Sequence, residues 1–258
     1  VAAVAVPWLM LRSFRCERLP EGPVKDHLSR LIKRSGVRVK GILSWDSPRL
    51  GFANACVLGP WRGMRYVLIS PRLLDLLSLD ECEAVVAHEL GHVRHGHLVL
   101  LVSVGVGLAS LTVLVSHLLP PLHPFAEAAV MLLLVLLYLR VLFGMLMRAC
   151  EREADLASAE LLGSPVPLAM ALEKVARAAG GSRDVYSWHH GSIGRRIEYL
   201  FAAGLDKQRI ARYHRRMRAV RWAFVALTAL LLGAAAFCSV VTKHEPPGAA
   251  AQEENFHG

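Results

Sequence analysis

The chain has 258 residues, of which 54% are hydrophobic, and this length allows one or two domains. Its formal net charge is +9, and 27 of its 30 Lys and Arg residues lie in two stretches, 12–97 and 148–219. No basic stripe is interleaved with aromatic residues, so we expect no nucleic-acid partner and interpret the charge as a membrane-topology signal.

The first 70 residues predict the end of a helix, one complete helix and three strands. Residues 1–11 are apolar but short, and we expect the end of a truncated transmembrane helix there, with an interfacial segment as the alternative. Helical spacing of apolar residues predicts a helix over 23–36, and a rough alternation predicts a strand over 37–45. Two more strands, 52–58 and 64–70, flank a turn-rich pentad and predict a β-hairpin.

A capping box marks the start of the next long helix. After a short predicted helix over 71–77, Ser78 is followed three residues later by Glu81. In this pattern each of the two side chains accepts a hydrogen bond from a backbone N–H group at the helix start. The helix is predicted to carry the segment His88-Glu89-Leu90-Gly91-His92 and to continue toward the first apolar span.

Three apolar runs have a length of about 20 residues, enough to cross a bilayer. Lys and Arg flank the same ends of these runs, so the positive-inside rule places the two basic stretches in the cytoplasm. The C-terminal tail is rich in Pro, Ala, Gly and Glu, and we expect it to be disordered and outside. The expected order is a helix end (1–11), a cytoplasmic part (12–97), a transmembrane hairpin (98–147), a second cytoplasmic part (148–219), a transmembrane helix (220–241) and a tail (242–258).

The second basic stretch is predicted to be helical. Helices are expected over 148–162, 168–179, 193–203 and 206–218, with a loop over 182–192. The predicted fold class is therefore a mainly α membrane protein with a small β-hairpin or sheet and three to four transmembrane helices.

The segment His88-Glu89-Leu90-Gly91-His92 is an HExxH arrangement. On a helix, His88 and His92 lie one turn apart on one face, so each can give a nitrogen to one Zn²⁺ ion. Glu89 is placed to take a proton from a water molecule at that ion. The sequence thus predicts one catalytic zinc ion per chain, against the alternative of two surface histidines beside an ordinary glutamate.

A catalytic zinc usually takes three protein ligands, so a third is expected downstream. On a continuing helix, His95 and His97 are expected to be turned off the His88–His92 face or to lie too far along it. Glu151 is favoured, because it lies on a helix that returns to the same membrane face, and Asp155 is expected to orient a ligand histidine through its other N–H group. The candidates are His95, His97, Glu151, Glu153, Asp155, His189 and His190.

The stretch from Ala84 to His97 resembles the motif region of the HtpX-type integral-membrane zinc peptidases, which are relatives of the CAAX prenyl endopeptidases. Asn54-Ala55, the spacing from Glu151 to Asp155, and the segment from His190 to Ile197 are similar to further segments of that family. The resemblance implies a zincin-like metalloprotease in which Glu151 is the third zinc ligand. Gly191 stands where the family usually has Pro, a departure that leaves the metal ligands intact.

We therefore expect a zinc-dependent endopeptidase that cleaves membrane or membrane-proximal proteins at the cytoplasmic face of the membrane, which the resemblance implies is a bacterial inner membrane. His190 is expected to help hold the oxyanion. Arg196 is expected to pair with Asp155 or to contact the substrate backbone, and Asn54 to lie where a strand edge receives the substrate main chain. The alternatives are a protease-type sensor-transducer, which the short tail disfavours, and a non-catalytic zinc-binding membrane scaffold, which Glu89 disfavours.

Overall fold

The computed structural model describes residues 15–46, 53–59, 61–120, 122–181, 191–204 and 206–244. The expectations for residues 1–11, for most of the loop 182–192 and for nearly all of the tail fall outside these ranges, as do His189 and His190. Two compact units are present, one built from residues up to 98 together with 144–219, the other from 99–143 together with residues after 219.

A small four-stranded sheet lies in the first unit. Its strands are β1 (Arg15–Arg18), β2 (Gly41–Asp46), β3 (Ala55–Leu58) and β4 (Tyr66–Ile69), in the order β1-β2-β4-β3. β2 and β4 are parallel, whereas the other two pairs are antiparallel. The predicted hairpin is confirmed as β3 and β4. The strand predicted from residue 37 begins only at Gly41, and β1 has no counterpart in the prediction, because three of its four residues are charged and show no apolar alternation.

In the described ranges six helices lie wholly within the first unit. The apolar face of the first helix packs on the sheet, where Leu28, Leu31, Val67 and Ile69 are almost completely buried in one hydrophobic core. The helices are α1 (Pro23–Ser35), α2 (Pro71–Leu76), α3 (Leu79–Arg94), α6 (Gly144–Leu162), α7 (Val166–Ala178) and α8 (Ile193–Ala203).

The start of α3 is fixed by the predicted capping box. The Ser78 hydroxyl accepts from the Glu81 N–H group at 3.4 Å, and the Glu81 carboxylate accepts from the Ser78 N–H group at 2.8 Å. Lys174 on α7 donates to the same carboxylate at 2.7 Å. Burial alone would raise the pKa of Glu81, but the hydrogen bonds from Lys174 and Ser78 outweigh it and lower that pKa.

The prediction that this helix continues into the first apolar span is wrong. α3 ends at Arg94, and Gly96 adopts a left-handed conformation with φ of 64° before the next helix begins at His97. A glycine just past the end of a helix adopts this conformation with little strain, which is why the chain turns here. The turn changes the direction of the His97 side chain from the one that a continuous helix would give.

α3 and α6 approach each other closely through small residues. A Cβ atom added at Gly91 would lie 3.1 Å from the Cα atom of Ala154 and 3.1 Å from the Cβ atom of Ala157. On the same interface the buried Ser158 hydroxyl donates to the Ala84 carbonyl at 2.8 Å. Small side chains at these positions therefore set the separation of the two helices.

Three helices in the described ranges are long and apolar enough to cross a membrane. They are α4 (His97–Leu118), the helix that runs from α5 (Pro124–Leu137) through a π-helical turn (Tyr138–Phe143) into α6, and α9 (Lys207–His244). In the second unit the Tyr138 hydroxyl donates to the Val104 carbonyl at 2.9 Å and the Thr228 hydroxyl to the Ser103 carbonyl at 3.0 Å. The predicted fold class, mainly α with a small sheet and membrane-length helices, is confirmed.

We predict that Ser78→Ala lowers the melting temperature of the full chain in detergent by a few degrees. Loss of an N-cap hydroxyl costs about 1 kcal/mol, and a chain of this size shifts by about 2–4 °C per kcal/mol. Ser116→Ala is the matched control, because the Ser116 hydroxyl only donates to Val113 of its own helix. Equal melting temperatures for Ser78→Ala and Ser116→Ala would contradict the structural role of the capping box.

Candidate metal centre

Two histidines of α3 and one glutamate of α6 converge on a single point. The Nε2 atoms of His88 and His92 lie 3.1 Å apart, and each lies 3.6 Å from a carboxylate oxygen of Glu151. Ligands of a tetrahedral zinc ion with bonds of 2.0–2.1 Å are separated by about 3.3 Å. The observed separations fit that geometry, and two imidazole nitrogens with one carboxylate are a donor set that zinc accepts.

The two histidine rings are also oriented as ligands of one ion need to be. Their planes are inclined by 82°, and their centroids are 4.8 Å apart. A lone pair on an imidazole nitrogen lies in the plane of the ring, so two ligand rings must both contain the ion in their planes. Rings that meet at a steep angle satisfy this condition without a clash.

Asp155 and Arg196 contact His88 and Glu151, two of the candidate ligands. An Asp155 oxygen lies 2.9 Å from Nδ1 of His88, the nitrogen that faces away from the metal position. Arg196 on α8 donates to both oxygens of Asp155, at 2.9 and 2.6 Å, and its third nitrogen lies 3.0 Å from Glu151. Arg196 was expected either to pair with Asp155 or to contact the substrate backbone, and the structure contains the pair with Asp155.

The electrostatics of the site keep His92 neutral. Burial, followed by the neighbouring His88 and His97, lowers the pKa of His92 to about 3. Burial also acts to lower the pKa of His88, but Asp155 outweighs it and the pKa is raised. For Arg196 burial is outweighed by Asp155 and Glu151, so its pKa is raised and it stays charged. Neutral His92 offers a lone pair, and at His88 a metal ion would compete with a proton.

One cavity of about 530 Å³ is lined by His88, His92 and Glu151 together with Glu89, Asn54 and Arg196. Half-buried Glu89 lines it beside the two histidines, and exposed Asn54 lines it directly before β3, an edge strand of the sheet in the part of the chain described. The Asn54 backbone is held by Ser70, whose hydroxyl accepts from the Asn54 N–H group at 2.9 Å. The cavity also has an apolar wall, formed by Leu73, Val85, Leu168, Leu172 and Val175.

A second group of histidines lies next to the metal position. Glu153 is completely buried, and one of its oxygens lies 3.1 Å from Nδ1 of His95 and 3.0 Å from Nδ1 of His214, while the other lies 2.9 Å from Nε2 of His97. His97 in turn contacts His92, with 2.7 Å between their Nδ1 atoms. His97 is not part of the His88–His92–Glu151 group, as expected, but the chain turns at Gly96 and brings His97 against the Nδ1 side of His92.

His214 has no role in the sequence prediction. It lies in the basic first part of α9, where no spacing connects it to the HExxH helix. The signal that was available for His97 is Gly96, a residue type that commonly ends helices. The roles assigned from the sequence to the described site residues stay predictions, and this geometry supports them. The residues are His88, Glu89, His92, Glu151, Asp155, Arg196 and Asn54.

Comparisons with known proteins show the family of the chain. The sequence model of peptidase family M48 matches residues 18–217. The protease HtpX homolog of Janthinobacterium sp. (strain Marseille) is 28% identical over 168 residues, which cover 58% of this chain and 56% of that protein. Protease HtpX of Tolumonas auensis is 26% identical over 201 residues, 69% of this chain and 68% of that protein.

Among solved structures, the crystal structure of S. mikatae Ste24p is similar with a TM-score of 0.61 and 21% sequence identity. The similarity covers 77% of this chain and 54% of that one, and it concerns the fold. The chain thus spans little more than half the length of Ste24p and of the Janthinobacterium relative.

We predict that Gly91→Ala reduces zinc binding. The added methyl group would lie 3.1 Å from backbone and Cβ atoms of α6, so we expect that helix, which carries Glu151, to shift by a few tenths of an ångström from the histidines. Overpacking of this kind costs about 1–3 kcal/mol. Zinc content and zinc affinity of the purified chain measure the effect. Gly105→Ala is the matched control, because a Cβ atom there meets nothing within 4 Å. Wild-type zinc affinity in Gly91→Ala would mean that the contact does not set the ligand separation.

Proposed function

Since the chain belongs to peptidase family M48, we propose that it is a zinc-dependent endopeptidase that hydrolyses peptide bonds of membrane or membrane-proximal proteins at the cytoplasmic face of the membrane. The observation that carries the proposal is the convergence of His88, His92 and Glu151 at the separations of zinc ligands, with Glu89 in the same cavity. These three ligands leave a position open for water, as catalytic zinc sites do.

The roles of the residues follow from their positions. His88, His92 and Glu151 would hold the zinc ion, which when bound lowers the pKa of water and polarises the scissile carbonyl group. Glu89 accepts the proton of the attacking water and delivers it to the leaving amine. His190 directly precedes the cavity-lining residue Gly191 in the sequence, and it is proposed to donate to the oxyanion.

Arg196 acts on the ligands in this proposal. Its guanidinium group forms ion pairs with Asp155 and Glu151, and its side chain is about one-tenth exposed. A fixed cation at this place keeps both carboxylates charged in a buried site. It holds Glu151 in the orientation that a metal ligand needs.

The cavity suggests how a substrate binds. β3 is an edge strand beside Asn54, and an extended peptide can add to such an edge through main-chain hydrogen bonds. The apolar wall beside the histidines then accepts an apolar side chain of the substrate. Membrane-proximal substrates are favoured because His92 precedes the membrane-length helix α4 by only five residues.

The cytoplasmic face is proposed from the charges. The basic stretches 12–97 and 148–219 contain all the ligands, and the positive-inside rule places such stretches in the cytoplasm, here beneath a bacterial inner membrane. A scaffold with a structural zinc ion has no use for a general base, so Glu89 in the cavity favours catalysis over that alternative.

We predict that Glu89→Gln retains one zinc ion per chain and loses proteolysis, whereas Glu151→Gln loses both. Removal of a general base reduces the rate by about 10²–10⁴-fold. Cleavage of casein by the full chain in detergent and metal analysis of the same samples provide the two measurements. Glu83→Gln is the matched control, since Glu83 lies on the same helix and faces His27 away from the cavity.

Each outcome has a separate meaning. Undiminished cleavage by Glu89→Gln would contradict the proposed mechanism. A full zinc content in Glu151→Gln would show that the third ligand is another residue.

A further inference from the structure

A chain of buried contacts leads from the proposed metal ligand His92 to a carboxylate outside the metal site. Nδ1 of His92 lies 2.7 Å from Nδ1 of His97, and Nε2 of His97 lies 2.9 Å from Glu153. Resting on the proposed zinc site, we propose that His97 and Glu153 are positioning residues that fix the tautomer and the ring orientation of His92.

The tautomers of the two histidines follow from these contacts. His92 can ligate through Nε2 only if its proton is on Nδ1, and that N–H group needs an acceptor. Nδ1 of His97 accepts if the His97 proton is on Nε2, from where it is donated to Glu153. The carboxylate of Glu153, which can only accept, therefore fixes both protons in the arrangement that turns the His92 lone pair toward the metal position.

The arrangement parallels the one at the other ligand. Asp155 lies directly against Nδ1 of His88, whereas Glu153 acts on His92 across one additional imidazole. Both carboxylates belong to α6 and are at most 1% exposed. A buried carboxylate is costly unless donors surround it, and Glu153 has three histidines within 3.1 Å.

A second metal ion at Glu153 fits the geometry poorly. The rings of His95 and His214 are stacked, with planes inclined by 12° and centroids 4.2 Å apart. Two nearly parallel planes so far apart cannot both contain an ion that is about 2 Å from each nitrogen. A hydrogen bond of 3 Å tolerates more bending, so we interpret His95 and His214 as groups that hold Glu153 in place.

The first test replaces the acceptor of the His92 proton. In His97→Phe the ring volume remains but His92 loses its partner, and the zinc dissociation constant is expected to rise by about 10–100-fold. His97→Asn returns an acceptor oxygen at the position of Nδ1 and is expected to restore most of the affinity. Glu153→Gln keeps the shape without the charge and is expected to give an intermediate loss.

The measurements are made on the full chain in detergent. Zinc affinity and stoichiometry are determined by competition with a chelator, and the visible absorption of the Co²⁺-substituted protein reports ligand geometry independently of activity. Glu83→Gln is the matched control, since the Glu83 carboxylate faces His27 and is not among the described contacts of Glu153. Melting temperatures of the zinc-free variants show whether each one folds.

The outcomes separate this proposal from the proposed function. If the wild type binds one zinc ion and cleaves casein while His97→Phe keeps its affinity and Co²⁺ spectrum, the positioning role is overturned and the protease proposal stands. If His97→Asn is as weak as His97→Phe, the effect is one of packing and the proposal is likewise overturned. Two zinc ions per wild-type chain would contradict the interpretation of the Glu153 group, and a wild type without zinc would contradict the proposed function itself.

Discussion

The close contact of α3 with α6 at Gly91 is the constraint on which the candidate site depends. α3 provides both histidines and Glu89, and α6 provides Glu151. Side chains from two helices reach one ion only if the helix axes are close, and a methyl group at Gly91 would lie only 3.1 Å from the Cα atom of Ala154. The glycine of the HExxH segment is thus explained by packing, and the ligand separation is a consequence of that packing.

This contact also buries an unusual amount of charge. Glu151 and Asp155 are both almost fully buried, and one guanidinium group, that of Arg196, serves both. Buried carboxylates are stable only when positive charge and hydrogen-bond donors compensate for the water they have lost. A divalent cation held by Glu151 and the two histidines would add positive charge at the same place.

The parts of the structure that the sequence predicts are those encoded by local spacing. The capping box at Ser78, the β3–β4 hairpin and the one-turn separation of His88 and His92 all follow from residues within a few positions of one another. The pairing of Glu151 with the histidines across 59 positions needed the additional argument that the membrane hairpin brings α6 back. β1 and His214 have no local pattern, because a strand of charged residues and a histidine in a basic helix acquire their partners only through the tertiary fold.

The position of His97 depends on where the preceding helix ends. A helix continued past Arg94 would carry His97 away from His92. Gly96 ends the helix instead, and His97, the first residue of α4, lies against the proposed ligand His92.

This placement gives a reason for the buried carboxylate of Glu153 between three histidines. In the proposed mechanism Glu153 neither binds the zinc ion nor touches the substrate cavity. If Glu153 only filled space, an apolar side chain would avoid the cost of burying a carboxylate, whereas an acceptor is required if His92 is to keep its proton on Nδ1. The same α6 therefore supplies the proposed ligand Glu151 and the carboxylates of Glu153 and Asp155. These two carboxylates act on the histidines at the nitrogen turned away from the metal position, one through His97 and one directly.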